Sequence, residues 1–355
     1  MPYCWKCGAK LDEDAKFCHV CGAAVGLPAT EPRIRRKAAP MSPMGIILIA
    51  IIAVAAVLVG LTFLPVYEAS PVSSQMSVPR KPSVDTLNLN LAIDVGHVNI
   101  RFENLTGEPQ SPSIIINASA AERVPIFSSK DPLNRYMPVS HNETAGNVLK
   151  VTVEQKVDTI FWPMHSSLNV TFDVRIDPSM KTSLNIKTST GGILLDTQAG
   201  VILNSTILQA TTGGVEAKIL QDTVIAGDVS VKTITGGVKL SWNNPIVTND
   251  VNVNATTTTG GVDVTLTQHG KLSGNITLKA EAVTGGVNFA VDIKNDIGTK
   301  IQSTVKTGGI DIYRQEGFSG TENLLQSNNY PAGHNINATL KTTTGGIRID
   351  AEYTP

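Results

Sequence analysis

The stretch TTGGVEAKI, residues 211–219, decides how this chain is read, because close relatives of it return along the sequence. STGGI begins at Ser189, ITGGV at Ile234, TTGGV at Thr258, VTGGV at Val283, KTGGI at Lys306 and TTGGI at Thr343. The first glycines of the seven pairs are Gly191, Gly213, Gly236, Gly260, Gly285, Gly308 and Gly345, at spacings of 22, 23, 24, 25, 23 and 37 residues. A period in the twenties, in a segment rich in Thr, Val, Ile, Asn and Gly, predicts a mainly β chain folded as a β-solenoid. The longer last step contains EGFSGTENLLQSNNYPAGHN, a polar Gly/Pro-rich run expected to be a loop inserted into one coil.

Parity assigns the faces of each coil. Leu184, Thr206, Val229, Val253, Leu278, Ile301 and Ala338 share a face with Ile186, Leu208, Val231, Ala255, Ala280, Ser303 and Leu340. The threonine before each Gly-Gly, from Thr190 to Thr344, has the same parity. After the glycines the inward positions become Ile193, Val215, Val238, Val262, Val287, Ile310 and Ile347. Those two residues further on, from Leu195 to Ile349, follow them inward. The residues between are mostly polar, among them Glu216, Lys239, Asp263, Asn288, Asp311 and Arg348. Gly-Gly therefore reads as a corner at which one strand turns into the next, one glycine taking a φ > 0 or bulge conformation. The preceding threonine is expected to stack from coil to coil and to satisfy a backbone group at the corner with its hydroxyl. A phosphate cradle would need a helix after the glycines, and here a strand pattern follows each pair.

Composition is uneven along the 355 residues. Cys4, Cys7, Cys18 and Cys21 are the only cysteines, so no disulfide framework holds the larger part. Residues 1–43 carry 7 Lys/Arg against 4 Asp/Glu, and residues 66–355 carry 22 against 26, which excludes a strongly basic nucleic-acid binder. Met44–Leu64 is MGIILIAIIAVAAVLVGLTFL, which as a helix would reach about 32 Å against a hydrocarbon core of about 30 Å. Arg33, Arg35, Arg36 and Lys37 precede it, and the next basic residue is Arg80. The pattern predicts a single-pass helix at the plasma membrane, N-terminus cytoplasmic and C-terminal part extracellular. The expected order is a zinc ribbon at 1–26, a basic linker at 27–43, a transmembrane helix at 44–64, a Pro/Ser-rich linker at 65–83 and the β-solenoid ectodomain at 84–355.

The first 22 residues carry the sharpest chemistry. CWKCGAKLDEDAKFCHVCG, residues 4–22, holds two Cys-x-x-Cys-Gly knuckles with ten residues between Cys7 and Cys18. Each knuckle sets two thiolates about one tetrahedral edge apart, and the glycine accepts the tight curl after the second sulfur. Cys4, Cys7, Cys18 and Cys21 are thus expected to close one structural Zn²⁺ site, with no open position for catalysis. His19 is expected to stay exposed. The segment resembles the short zinc-ribbon family, on Cys-x-x-Cys-Gly, an acidic middle and Phe17-Cys18 to Cys21-Gly22.

Before the first clear repeat, VDTLNLNLAIDVGHVNIRF, PSIIINAS, NVLKVTVEQ and SSLNVTFDVRIDP also read as strands, and DVGHVNI as a degenerate early coil. RIDPSMKTSLNIKTSTGGILLD, Arg175 to Asp196, resembles the putative adhesin family of unknown function, a β-solenoid likened to auto-transporter adhesin heads. That resemblance spans about residues 85–352 and implies an envelope location.

No catalytic residue is assigned. Asp263 and Asp311, two coils apart, would lie nearly 10 Å apart at about 4.8 Å per coil, close to the upper limit for an inverting glycosidase pair. His97, His141, His165, His269 and His334 show no metal-ligand spacing. Sequons at Asn104, Asn117, Asn142, Asn169, Asn204, Asn254, Asn275 and Asn337 fit an external domain. The chain is expected to be a non-enzymatic prokaryotic surface protein, adhesive or architectural. A transmembrane sensor acting through the zinc ribbon, or a carbohydrate-active enzyme, are the alternatives. Its expected partners are the membrane, a surface polysaccharide or envelope protein, and a cytoplasmic protein at the ribbon, but not nucleic acid. The last coil is expected to leave an edge open to self-association.

Overall fold

The computed structural model describes residues 2–25, 51–54, 66–68, 70–107, 111–125, 133–157, 167–270, 272–294 and 296–355. The chain divides into two compact units, Met1–Phe63 and Leu64–Pro355. The second is mainly β and contains two sheets, of 12 and 14 strands.

The repeats supply most of both sheets. In the larger sheet Thr86–Val95, Lys181–Thr190, Ile202–Thr212, Val229–Thr235, Val251–Thr259 and Ile276–Thr284 pair side by side in parallel. In the other, His97–Phe102, Ile193–Asp196, Val215–Ile219, Val238–Asn243, Val262–Gln268 and Val287–Lys294 do the same. The pairing of Val95 with Thr190 makes DVGHVNI the first repeat unit, as the sequence suggested. Side chains of expected inward parity fill one continuous core, with Leu184, Ile186, Val215, Leu240 and Phe289 all at most 1% exposed. Each such apolar side chain contributes about 1.5–3 kcal/mol relative to exposure. Trp242 is the largest fully buried side chain; its indole N–H donates to Gln268 Oε1 at 2.9 Å.

The expected β-solenoid is corrected to two mixed sheets. A solenoid stacks its coils in chain order, and this unit does not. Thr344 of the seventh repeat pairs with Thr284 of the fifth and with Thr307 of the sixth, so the last repeat lies between the two before it. The same order holds after the corner, where Ile347 pairs with both Val287 and Ile310. The expected loop is the cause. It contains a hairpin, Phe318–Thr321 with Leu324–Ser327, whose second strand runs antiparallel along Ile297–Thr307. That outer edge is then occupied, and the returning chain takes the inner one. Antiparallel strands also complete the other end. Pro112–Pro125 pairs with Ser167–Ile176 and with Val72–Pro79, and Val139–Ala145 pairs with Val148–Gln155. Residues 72–79, read from sequence as linker, thus belong to the sheet.

Placing the last repeat inside also moves the open edge. It is Ile310–Glu316, not the final strand, and a bulge between Ile312 and Arg314 interrupts its ladder. Bulges and charged residues blunt edge strands against pairing with another chain.

The expected membrane topology is corrected too. Among the described residues no helix is long and apolar enough to cross a membrane. Residues 51–54 are helical. The single-pass helix, and with it the plasma-membrane location and the sidedness of the two ends, is therefore not retained. The rest of 44–64, the basic run at 33–37 and His165 lie outside the described residues.

The corners explain the recurring glycines. The first glycine of each pair has φ between 136° and 144°, as has Gly213 at 139°. A Cβ built on Gly213 would overlap the carbonyl oxygen of Gly191; on Gly236, that of Gly213; on Gly345, that of Gly285. Backbone bonds tie the column together, with Gly191 N–H donating to Thr212 O, Gly213 to Thr235 O and Gly236 to Thr259 O, each at 2.8 Å. The second glycines are freer: a Cβ on Gly214 would meet only Gly237 O, at an ordinary 3.6 Å. Gly213→Ala is expected to destabilise the β unit by roughly 2 to 5 kcal/mol. Gly214→Ala should stay within about 1 kcal/mol of the parent, both read by denaturant unfolding.

Candidate functional site

The four cysteines come together as the spacing predicted. In each knuckle the glycine N–H donates back to the first cysteine, Gly8 to Cys4 O at 2.9 Å and Gly22 to Cys18 O at 2.8 Å. Each first cysteine donates onward, Cys4 to Ala9 O and Cys18 to Ala23 O, both at 2.8 Å. Gly8 and Gly22 have φ of 73° and 70° with open space around a built Cβ, so backbone conformation and not crowding selects glycine. Short antiparallel bridges, Tyr3 with Lys10 and Phe17 with Ala24, close each knuckle into the same small hairpin.

Two hairpins of one design face their sulfurs together. The ligand atoms of Cys4, Cys7, Cys18 and Cys21 all lie within 4.8 Å of one another, with Cys4 Sγ 3.6 Å from Cys21 Sγ and Cys7 Sγ 3.6 Å from Cys18 Sγ. Cys4 and Cys18 are buried beside Leu11, while Cys7 and Cys21 are exposed. The electrostatics ask for a cation. The backbone N–H groups of Lys6 and then Cys7 pull the Cys4 thiol down to about 6. Cys7 is pushed up to about 12; an N–H from Ala9 opposes this, but the thiols of Cys21, Cys18 and Cys4, together with burial, keep its proton on. Four thiolates this close cannot all ionise without a dication among them, and soft sulfur ligands in a tetrahedral set suit Zn²⁺.

Residues 3–25 match the zinc-ribbon domain family. The ribbon's four cysteines can bind one zinc ion, which fixes the fold of a segment whose apolar core is three residues. His19 is exposed, as expected.

The whole-chain comparisons are distant. A putative cell adhesion protein from Clostridium sporogenes is similar at 16% identity and a TM-score of 0.36, covering 80% of this chain and 100% of that one. A putative adhesin from Bacteroides fragilis is similar at 11% identity and a TM-score of 0.31, covering 79% of this chain and 97% of that one. A third, from Parabacteroides distasonis, has the same figures. No curated protein matches the chain.

The β unit does not assemble the one carboxylate pair the sequence offered. Asp263, Asn288, Arg348 and Asp311 stand in that order on adjacent strands, because the seventh repeat is interposed. Three strand steps are about 14 Å, beyond the roughly 9.5 Å of an inverting pair. Asn288 donates to Asp263, and the Arg348 guanidinium lies 4.4 Å over the Tyr313 ring. The histidines are dispersed: His97 Nδ1 accepts from Gly192 N–H at 3.1 Å, and His269 Nε2 is 2.9 Å from Asp292. Among the described residues the four cysteines are the one metal-capable group. Of the sequon asparagines, Asn275 accepts from Asn335 N–H and Asn337 from the Tyr330 hydroxyl, while Asn142 and Asn169 are exposed.

Sequence reasoning missed one feature of the corners. The threonine directly before Gly-Gly does pair in register with its neighbours, but it is exposed. The hydroxyl that serves the corner belongs to the residue two earlier. Thr188 donates to Gly191 O at 3.0 Å, Thr233 to Gly213 O at 2.8 Å, Thr257 to Gly236 O at 2.9 Å and Thr342 to Gly285 O at 2.8 Å. The signal was present, since this core-parity position is Thr in four repeats and Ala or Val in the other three.

Purified chain is expected to contain one zinc per molecule by elemental analysis, and Cys18→Ser to lose most of it. Acid should release the metal as thiolates protonate. Chelation should leave the far-ultraviolet strand signal of the β unit intact; collapse of that signal on chelation would contradict the assignment.

Proposed function

We propose that this protein is a non-enzymatic surface-binding protein, in which Cys4, Cys7, Cys18 and Cys21 hold one structural Zn²⁺ and the β unit makes the contacts. The observation that supports this reading is the outer surface of the repeats. Most positions between the buried ones are polar and line up from strand to strand, as in the row Glu216, Lys239, Asp263, Asn288. Charges alternate along that row, and Lys239 pairs with Glu216 at 3.3 Å. Such a surface is polar and carries charges of both signs. It suits repeated weak contacts with an extended polymer or another protein surface better than enclosure and turnover of a small substrate.

Labelled, purified full-length protein is expected to bind whole cells and isolated envelopes saturably, and excess unlabelled protein should compete the label away. Non-saturable or absent binding would contradict the reading.

A further inference from the structure

We infer that a cavity on the outer face of the larger sheet, centred on Ala92, binds a single sugar-acid residue of a surface glycan. The inference rests on the surface-binding reading and gives it a site and a ligand class. The cavity has a volume of about 340 Å³. That is near the lower end of small-molecule sites, roughly 300–1,000 Å³, and fits one pyranose better than an oligosaccharide.

One small side chain lies at its middle. Ala92 lies in register between Glu154 on one side and Lys187 on the other, and Gln209 follows Lys187 on the next strand. Long polar side chains occupy this row on the neighbouring strands, so alanine leaves a gap with an acid and a base on its two sides. The floor is rigid. Gln155, 2% exposed, donates to Tyr136 O and accepts from Val95 N–H, both at 2.8 Å.

The rim chemistry selects the ligand. Glu154 is 3.2 Å from Lys156 and so has its own counter-charge. Asp94 accepts from Val157 N–H with Oδ2 at 2.9 Å, leaving Oδ1 to accept from a ligand hydroxyl. Lys187 makes no ion pair among the described residues, which leaves an ammonium directed at no protein anion. Gln209, Ser189 and Thr211 line the same space with amide and hydroxyl groups that make no described hydrogen bond. One cation without a partner, one carboxylate acceptor and three neutral polar groups match a carboxylate on a polyhydroxylated ring. The carboxylate pairs with Lys187, and ring hydroxyls donate to Asp94 and exchange bonds with the neutral groups. Asp94 and Glu154 offset Lys156 and Lys187, so the cavity as a whole carries no excess charge for a polyanion.

The test uses the full-length chain in ligand-observed NMR and calorimetry with galacturonate, glucuronate and N-acetylneuraminate, and with galactose and glucose as neutral counterparts. At least one acidic sugar should bind in preference to its neutral counterpart. Ala92→Gln places in the gap a side chain the next strands already tolerate, and Lys187→Met removes the cation while keeping its length. Both are expected to weaken that binding by roughly tenfold or more with unchanged unfolding midpoints. Equal binding of acidic and neutral sugars, no binding of any acidic sugar, or binding unchanged in either variant overturns the assignment. Ala92→Gln is also tested on envelopes. If the parent binds no sugar acid while parent and variant both bind envelopes saturably, this inference fails and the surface-binding reading stands. If sugar acids bind the parent and envelopes do not, the reading fails and the site stands.

Discussion

A carbonyl oxygen sits where a side chain would have to be. At each corner the first glycine of the pair lies against the carbonyl of the corresponding glycine on the next strand, and Gly285 stands in this relation to Gly260 as Gly213 does to Gly191. Any Cβ would push the strands apart, and the backbone near φ 140° would be strained with it. Because glycine yields at this point, the strands on both sides of the corner pair in parallel with their neighbours, and parity reverses across the corner so that apolar residues point inward on both sides. The two sheets, their shared core and the outward polar rows all depend on that close approach.

A second constraint is the first glycine's carbonyl, which the close approach carries towards the core. At three corners the inward residue two before the neighbouring strand's threonine is itself threonine and its hydroxyl meets that oxygen, as Thr257 meets Gly236, whereas Thr188 meets Gly191 of its own repeat. Where it is Ala282, no such bond is available. The corners therefore share one backbone geometry but differ in how fully their polar groups are satisfied, and a buried acceptor left without a partner costs about 1–3 kcal/mol.

Much of this was legible in the sequence. The Gly-Gly period, the inward residues and the register of the repeats follow from parity and composition alone, because a side-chain period of two and an obligatory glycine leave few alternatives. The zinc ribbon was equally legible, since knuckle spacing determines which sulfurs can meet. What failed was what local pattern does not encode. The order of the repeats depends on which edge the hairpin at 318–327 occupies, a matter of tertiary competition between two strands for one ladder. The apolar run at 44–64 satisfied every hydropathy criterion for a span, yet among the described residues no helix is long and apolar enough to cross a membrane. The Ala92 cavity was invisible because its walls, Glu154 and Lys187, are 33 residues apart in sequence and meet through strand pairing.

Cross-linking tests the interposed repeat most directly, because the β unit contains no cysteine of its own. Thr284 and Thr344 are register partners, whereas Thr284 and Thr307 are two strands apart. Thr284→Cys with Thr344→Cys should form a disulfide under mild oxidation, located by mass spectrometry of the linked peptides. Thr284→Cys with Thr307→Cys should not, since two strand spacings are about 9.6 Å and disulfide-bonded Cα atoms lie within about 7 Å. A link between positions 284 and 307, with none between 284 and 344, would restore repeats stacked in chain order and contradict the architecture described here.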